Sequence, residues 1–440
     1  MHEIFENLLP NLLKLWSGQF KEIYDEQGQG CRLAPTVLEA IGEACAKSRY
    51  TVPSAFGAPT PNIASERYQF TAENWSFWAL HLAPSLLQGR FHNARFHKHF
   101  IELVELVNLC LQFEITDDDI HQIRVGMIKW VEAYERLYYR YDPDRLSICP
   151  LTVHALLHIA DSIAEAGPVW TYWAFPMERY CGALLPAIKS RRFPYANLSN
   201  HISDVALLSA LALMYDLDLS FSPLRASKHK TLNIPEYPKS TLLRPNITSK
   251  IANSLASKIA ISLATRYNTT VAVARKYVPQ QVSQWGKVSR SEGGDTIHAR
   301  DLIELSEKYR DASYMRYTQL VDINARRPRA RKIYRPRDFY GQLRNIVEIS
   351  IPESHELQTQ QRENLLLAVI RTLKTEPVPN TSGPVQYKDS AAGVGGLDVV
   401  DLTTLQCCVG RVLDRGSWVI IDRSGPYARA TFNLDTETDH

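Results

Sequence analysis

The sequence predicts a mixed α+β protein, mainly α, with helices first and strands last. Three observations carry this. Apolar residues recur at helical spacing over most of the stretch from Ile4 to Tyr141. Thr71 and the run Thr116-Asp117-Asp118-Asp119 stand where helices begin, with side chains suited to cap free N–H groups. Beyond Arg337 the period shortens, and apolar runs alternate with Pro, Gly and Asp-Arg turns. The divisions expected are a helical region at 1–215, a linker and helical connector with a basic run at 216–335, and a small antiparallel β-rich domain with a loop-rich insertion at 336–440.

Taken in order, Ile4, Leu8, Leu12, Leu15 and Trp16 predict an amphipathic helix interrupted near Pro10. A second helix is expected from Pro35 to Lys47. The prolines between Thr51 and Ile63 predict a surface loop with solvated backbone. Thr71 opens a third helix carrying Trp75, Trp78 and Leu82, residues 98–113 form a fourth, and a fifth runs from about Ile120 to Tyr141. The fifth places Ile120, Ile123, Met127, Val131, Tyr134, Leu137, Tyr138 and Tyr141 on one stripe, read as packing. After a helix ended by Gly167-Pro168, the bulky run Val169, Trp170, Tyr172, Trp173 and Phe175 predicts a buried strand. Pro176 then suits the first turn of a new helix closing on Lys189, Arg191 and Arg192. Helices are also expected at 199–215, 247–278 and 300–324. The β-rich runs are Phe339–Ile351, Leu365–Lys374, Cys407–Leu413, Ser417–Asp422 and Ala428–Asn433.

Composition bounds the function classes. A net charge of +3 across 440 residues says little about partners, so local charge must. No stretch of about 18 apolar residues exists, so no membrane span is expected. The N-terminal residues lack a basic n-region and a small-residue cleavage site, so no secretory signal is expected. Seven cysteines without a CxxC pair fit thiols in a reducing, intracellular compartment better than a disulfide framework or a zinc site.

Three constellations bear chemistry. His154, His158 and Asp161 share a helix face, and two imidazoles four residues apart can hold a divalent metal; the alternative is one core and one solvated histidine. Glu178 and Arg179 fall at the positive end of a helix dipole beside an aromatic run, with an ion pair between them as the alternative. Arg326, Arg327, Arg329, Arg331, Lys332, Arg335 and Arg337 place seven basic residues among twelve, each able to neutralise a phosphate or serve nuclear import; a solvated linker is the alternative. Lys189, Arg191 and Arg192 add to this basic character.

The run GPVWTYWAFPMERYCGALLPAIKSRRFPYANL resembles the C-terminal region of CACTA-type (En/Spm-like) transposases of fungi, and a cognate plant domain of unknown function. PSAFGAPTPNI, ENWSFWALHLAP, CPLTVHALLHIADSI and VLDRGSWVIIDRSGP extend the resemblance over most of the chain. It implies the second half of an RNase H-like transposase core, in which three acids hold two Mg²⁺ or Mn²⁺ ions for phosphodiester chemistry. Glu178 matches the third acid and 1–165 the helical insertion before it. In the family an aspartate stands two residues before a Met-His pair, matched here by Met1-His2, so that acid and the first one are missing. The resemblance therefore implies a truncated or domesticated transposase derivative, DNA-associated and nuclear. It would be catalytically incomplete alone, and active in metal-dependent strand transfer only if those acids are supplied. The rival expectation is a transposase-derived protein-interaction scaffold, whose partner is a full-length transposase or the missing N-terminal half.

Overall fold

A computed structural model describes residues 2–20, 31–215, 232–290, 295–304, 310–325, 329–379 and 384–423. The expected strand Ala428–Asn433 and residues 216–231 of the expected linker lie outside them. The expected α+β composition holds: helices fill the chain up to Tyr215, and antiparallel strands dominate from Leu232.

His2–Leu8, wound as a π-helix, passes directly into the α-helix Leu9–Ser17, so the interruption expected near Pro10 is a change of winding, with Pro10 in the first turn of the α-helical piece. Pro35–Ser48 follows, then consecutive pieces from Ala72 to Leu86, Arg95–Cys110, and Asp117–Tyr134 continued by Glu135–Tyr139. Their inward faces make one large core. Trp16, Trp78, Trp130, Tyr134 and Tyr138 are its largest fully enclosed side chains, and Trp16 Nε1 donates to Tyr138 Oη at 3.1 Å. Ile123, Met127, Val131, Tyr134 and Tyr138 are buried as the stripe requires, whereas Tyr141 is exposed beyond the helix end.

Both threonine caps form. The Thr116 hydroxyl accepts from Asp119 N at 3.2 Å, and Asp119 Oδ2 accepts from Thr116 N at 2.8 Å. Hydrogen bonds from Thr116 hold the Asp119 carboxyl below the usual range. Thr116→Ala is expected to cost about 1 kcal/mol, read from denaturant midpoints; a shift within error would show that the helix start is held by packing alone.

The β region is larger than expected. Its strands are β1 Leu232–Asn233, β2 Ser240–Lys250, β3 Gln281–Arg290, β4 Thr296–His298, β5 Tyr314–Asp322, β6 Tyr334–Ile351 and β7 Glu363–Leu373, followed by β8 Glu376–Pro377, β9 Val385–Lys388, β10 Val394–Asp401, β11 Leu405–Cys408, β12 Gly410–Asp414 and β13 Ser417–Ile421. The helix expected at 300–324 is corrected: Met315 and Tyr317 alternate inward while Arg316 and Thr318 face out, and the segment pairs as β5. The helix expected at 247–278 is corrected at its start, since residues up to Lys250 belong to β2, with helices at Asn253–Arg266 and Val271–Lys276.

β6 is the hub of the larger sheet. One edge pairs with β7 over Gly341–Ile351; the other pairs with β5 over Tyr334–Gln342 and with β3 over Ile346–Glu348. β7 is apolar on both faces because Leu366, Ala368 and Ile370 point into one core, while Leu365, Leu367 and Val369 meet the Asn253–Arg266 helix. The smaller sheet runs β12-β13-β9-β8, and Arg415 and Gly416, both at positive φ, form the tight turn between β12 and β13.

The loop at 51–63 is corrected too, because it forms the seam between the helices and the β region. Tyr50 O accepts from Asp311 N at 2.9 Å, Ala55 O from Arg423 at 2.7 Å and Gly57 O from Arg310 at 2.7 Å. Val412, Val419 and Ile421 close the helical core from the sheet side.

Candidate nucleic-acid interface

The aromatic run at 169–175 is not a strand. Val169–Thr171 is one tight turn after Gly167 at positive φ, and Phe175–Leu184 is helical. The aromatic bulk is used differently: Trp170 Nε1 donates to Phe113 O at 2.9 Å, its ring edge-on to Phe113, while Trp173 packs on the helical core. Pro176 does occupy the first turn of the new helix, with Glu178 following it. The helix stops at Leu184, so Lys189, Arg191 and Arg192 lie past its end as exposed side chains. The Arg192 guanidinium sits 5.3 Å from the Phe193 ring centroid. The side chain of Arg179 lies outside the described residues.

Glu178 is half exposed, and among the described residues it meets the start of the chain: His2 Nε2 lies 3.7 Å from Glu178 Oε1, and His2 also bonds Glu6. The Glu3 carboxyl is part-buried in the same region, and one of its oxygens has no partner among the described residues. Burial pushes its pKa up, with the His158 imidazole pulling the other way.

The expected set of His154, His158 and Asp161 separates. The two imidazoles face each other, Nε2 to Nε2 at 3.3 Å. Asp161 instead pairs with Arg124 at 2.5 Å, because the neighbouring Asp117–Tyr134 helix presents that guanidinium directly to it. Among the described residues no three His, Cys, Asp or Glu side chains group to hold a metal ion. The donor set present therefore does not fit a carboxylate-held pair of cations, and no step through one is derived.

The basic run has a more definite geometry. It is not a linker after a helix but the outer half of the β5–β6 hairpin; Arg326 and Arg327 lie outside the described residues. The outer pairs are Gln319↔Arg337, Leu320↔Pro336, Val321↔Arg335 and Asp322↔Tyr334. β11 pairs with β5 only at Met315–Tyr317, and β7 joins β6 only from Gly341, so beyond these points no strand among the described residues pairs with either ribbon edge. Residues 329–338 are all exposed.

Charge is divided unequally along this ribbon. Its two carboxylates are committed internally: Asp322 Oδ1 accepts from Asn324 N and Ile333 N at 2.9 and 3.0 Å, and Asp338 accepts from the Thr318 hydroxyl at 2.6 Å with Arg316 3.7 Å away. Arg329, Arg331, Lys332, Arg335 and Arg337 make no ion pair among the described residues, so the ribbon presents a net positive surface. The missed signal was the alternation of β5, which supplies the strand opposite the arginines. Compared with known proteins, the chain matches no family model, no curated protein and no solved structure.

Proposed function

We propose that the chain is a duplex-DNA-associated protein derived from a CACTA-type transposase, holding DNA through the β5–β6 ribbon. The single observation that supports this reading is the two-stranded ribbon with five cations that make no ion pair among the described residues. A duplex carries a dense line of phosphates, and each neutralised phosphate releases counterions, so affinity falls steeply with salt. Replacing Arg329, Arg331, Lys332, Arg335 and Arg337 together by Gln is expected to reduce the slope of log K against log salt by about 4.5, at ~0.9 per lost contact. Fluorescence anisotropy with a short duplex between low and physiological salt measures it. An unchanged slope and affinity would remove the ribbon from the interface.

On this reading residues 1–165 are part of the helical insertion, and Phe175–Leu184 is the closing helix of an RNase H-like core. The approach of His2 to Glu178 suits the resemblance, which places a second acid two residues ahead of the Met-His pair. The described residues supply no further acids for a cation pair, so this chain is proposed to bind DNA without cutting it. Mg²⁺- or Mn²⁺-dependent nicking by the purified chain, abolished by Glu178→Gln, would overturn that part.

A second reading, a protein-interaction scaffold, is favoured by one observation. The helix Pro194–Tyr215 buries none of its residues and exposes Val205, Leu207, Leu208, Leu213 and Met214. Leu208→Glu distinguishes the readings: loss of a co-purifying protein with DNA affinity intact supports the scaffold.

A further inference from the structure

The two faces of the β5–β6 ribbon are chemically different. Residues directly opposite in an antiparallel pair share a face, and alternate residues along a strand share it too. One face therefore carries Thr318, Leu320 and Asp322 with Tyr334, Pro336 and Asp338. The other carries Gln319, Val321, Arg335 and Arg337, and continues to Ile323 opposite Ile333. Both ribbon carboxylates sit on the first face and both strand arginines on the second. At the root of the second face Gln319 donates to Asp398 at 3.2 Å, which marks where the ribbon leaves the sheet.

Resting on the duplex-DNA reading above, we propose that the ribbon lies in the major groove with its Arg335–Arg337 face down and reads base edges through these two guanidinium groups. The B-DNA major groove is about 12 Å wide and admits a two-stranded ribbon, whose strands lie about 4.8 Å apart. The free part extends ~20 Å, at about 3.4 Å per residue. Arg335 and Arg337 are two residues apart, ~7 Å along the strand, which matches two base steps of about 3.4 Å each. An arginine fork donates to guanine O6 and N7 together. Val321, Ile323 and Ile333 on the same face offer apolar contact for thymine methyl groups, and Ile323 and Ile333 are exposed.

The ribbon is also braced for this use. Besides the Asp322 bonds that close its end, Asn324 Nδ2 donates to Arg331 O at 2.7 Å. Arg329, Arg331 and Lys332 then stand at the end of the ribbon, able to meet the flanking phosphates, while the opposite face keeps its carboxylates away from the DNA.

The test is selection of preferred duplexes from a random pool by the full chain, followed by affinity measurements on a selected and a scrambled duplex. The full chain is expected to prefer the selected duplex by about tenfold or more per arginine contact. Arg335→Lys and Arg337→Lys keep the charge and lose the fork, so each is expected to lose about tenfold of that preference while the salt slope stays unchanged. Replacing the contacted guanines by 7-deazaguanine, which deletes only the major-groove N7 acceptor, is expected to cause a similar loss. Equal affinity for selected duplex, scrambled duplex and double-stranded RNA overturns groove reading while leaving DNA association standing. So does full preference in both lysine variants. Failure to bind any duplex at low salt overturns the DNA reading itself.

Discussion

Replacing Asp311 by alanine is expected to destabilise the protein by about 3–5 kcal/mol, a large share of the roughly 5–15 kcal/mol that holds a typical fold together. Asp311 and Arg411 form an ion pair at 3.2 Å in which both side chains are almost wholly enclosed. The Arg411 guanidinium is held over the Tyr314 ring at 3.3 Å and the Trp418 ring at 4.6 Å, and it donates to Tyr387 Oη at 2.8 Å. Its Nε has no partner among the described residues, so the pair is incompletely satisfied within them. The other Asp311 oxygen accepts from Ser313 N and its hydroxyl, at 3.0 and 2.6 Å. Deleting the carboxylate strands a buried cation and two donors together. The backbones of both residues bond the chain where the 51–63 loop begins, Asp311 through Tyr50 O and Arg411 through Thr51, so the damage falls on the seam. Adding Arg411→Met should recover part of the loss, because removing both charges avoids the orphaned one. Urea titration measures both variants. A cost below about 1 kcal/mol for Asp311→Ala would mean that the pair behaves as a solvated surface contact.

The helical half was legible because its signals are local. A threonine three residues ahead of Asn74 or Asp119 builds a reciprocal cap from side chains that adjoin in sequence. The stripe on the Asp117–Tyr134 helix needs only a period to be seen. The β half hid where its signals are not local. Met315 and Tyr317 alternate correctly for a strand, but the partners that stabilise them, Gly341 and Phe339, come later in the chain. β2 carries Pro245, a residue that argues against a strand interior, and its register shifts there between Leu243 and Asn246. The aromatic run at 169–175 differs for a related reason: bulk predicts burial in a strand, whereas Trp170 gains its contacts from the loop at Phe113.

The candidate interface was legible as charge and illegible as shape. The arginines are evident from composition alone, but their arrangement on one ribbon face depends on β5, which the helical expectation concealed. Glu178 was placed correctly near a helix start, while its approach to His2 depends on a fold that brings distant parts of the chain together. Asp161 shows the converse: spacing made it a third ligand, and Arg124 of a neighbouring helix claimed it.

Acid should weaken the protein through His99 before most carboxylates titrate. Its ring is buried in the helical core, stacked on Trp130 at 4.3 Å, with Nε2 donating to Trp130 O at 3.1 Å and Trp130 Nε1 donating to His99 O at 2.8 Å. Burial pulls its pKa down to about 4, the carbonyl bond opposing and the positive Arg136 adding to the shift. In the unfolded chain the imidazole protonates near its ordinary value of about 6.5. Between these values the unfolded state binds the extra proton, so stability is fully present above about pH 6.5 and is lost as pH falls toward the folded value. From pH 7 to pH 5 the loss from His99 alone should be about 2 kcal/mol. His298, also drawn down to about 4 by burial with Lys287 adding, pushes in the same direction from a less enclosed position. His99→Gln removes the titration, and although it lowers stability at every pH, its dependence between pH 7 and 5 should be shallower by about that 2 kcal/mol. Urea midpoints at the two pH values decide it. Parallel losses in His99→Gln and the parent chain would mean that the ring is protonated inside the fold, and that the stacked Trp130 contact tolerates a charge.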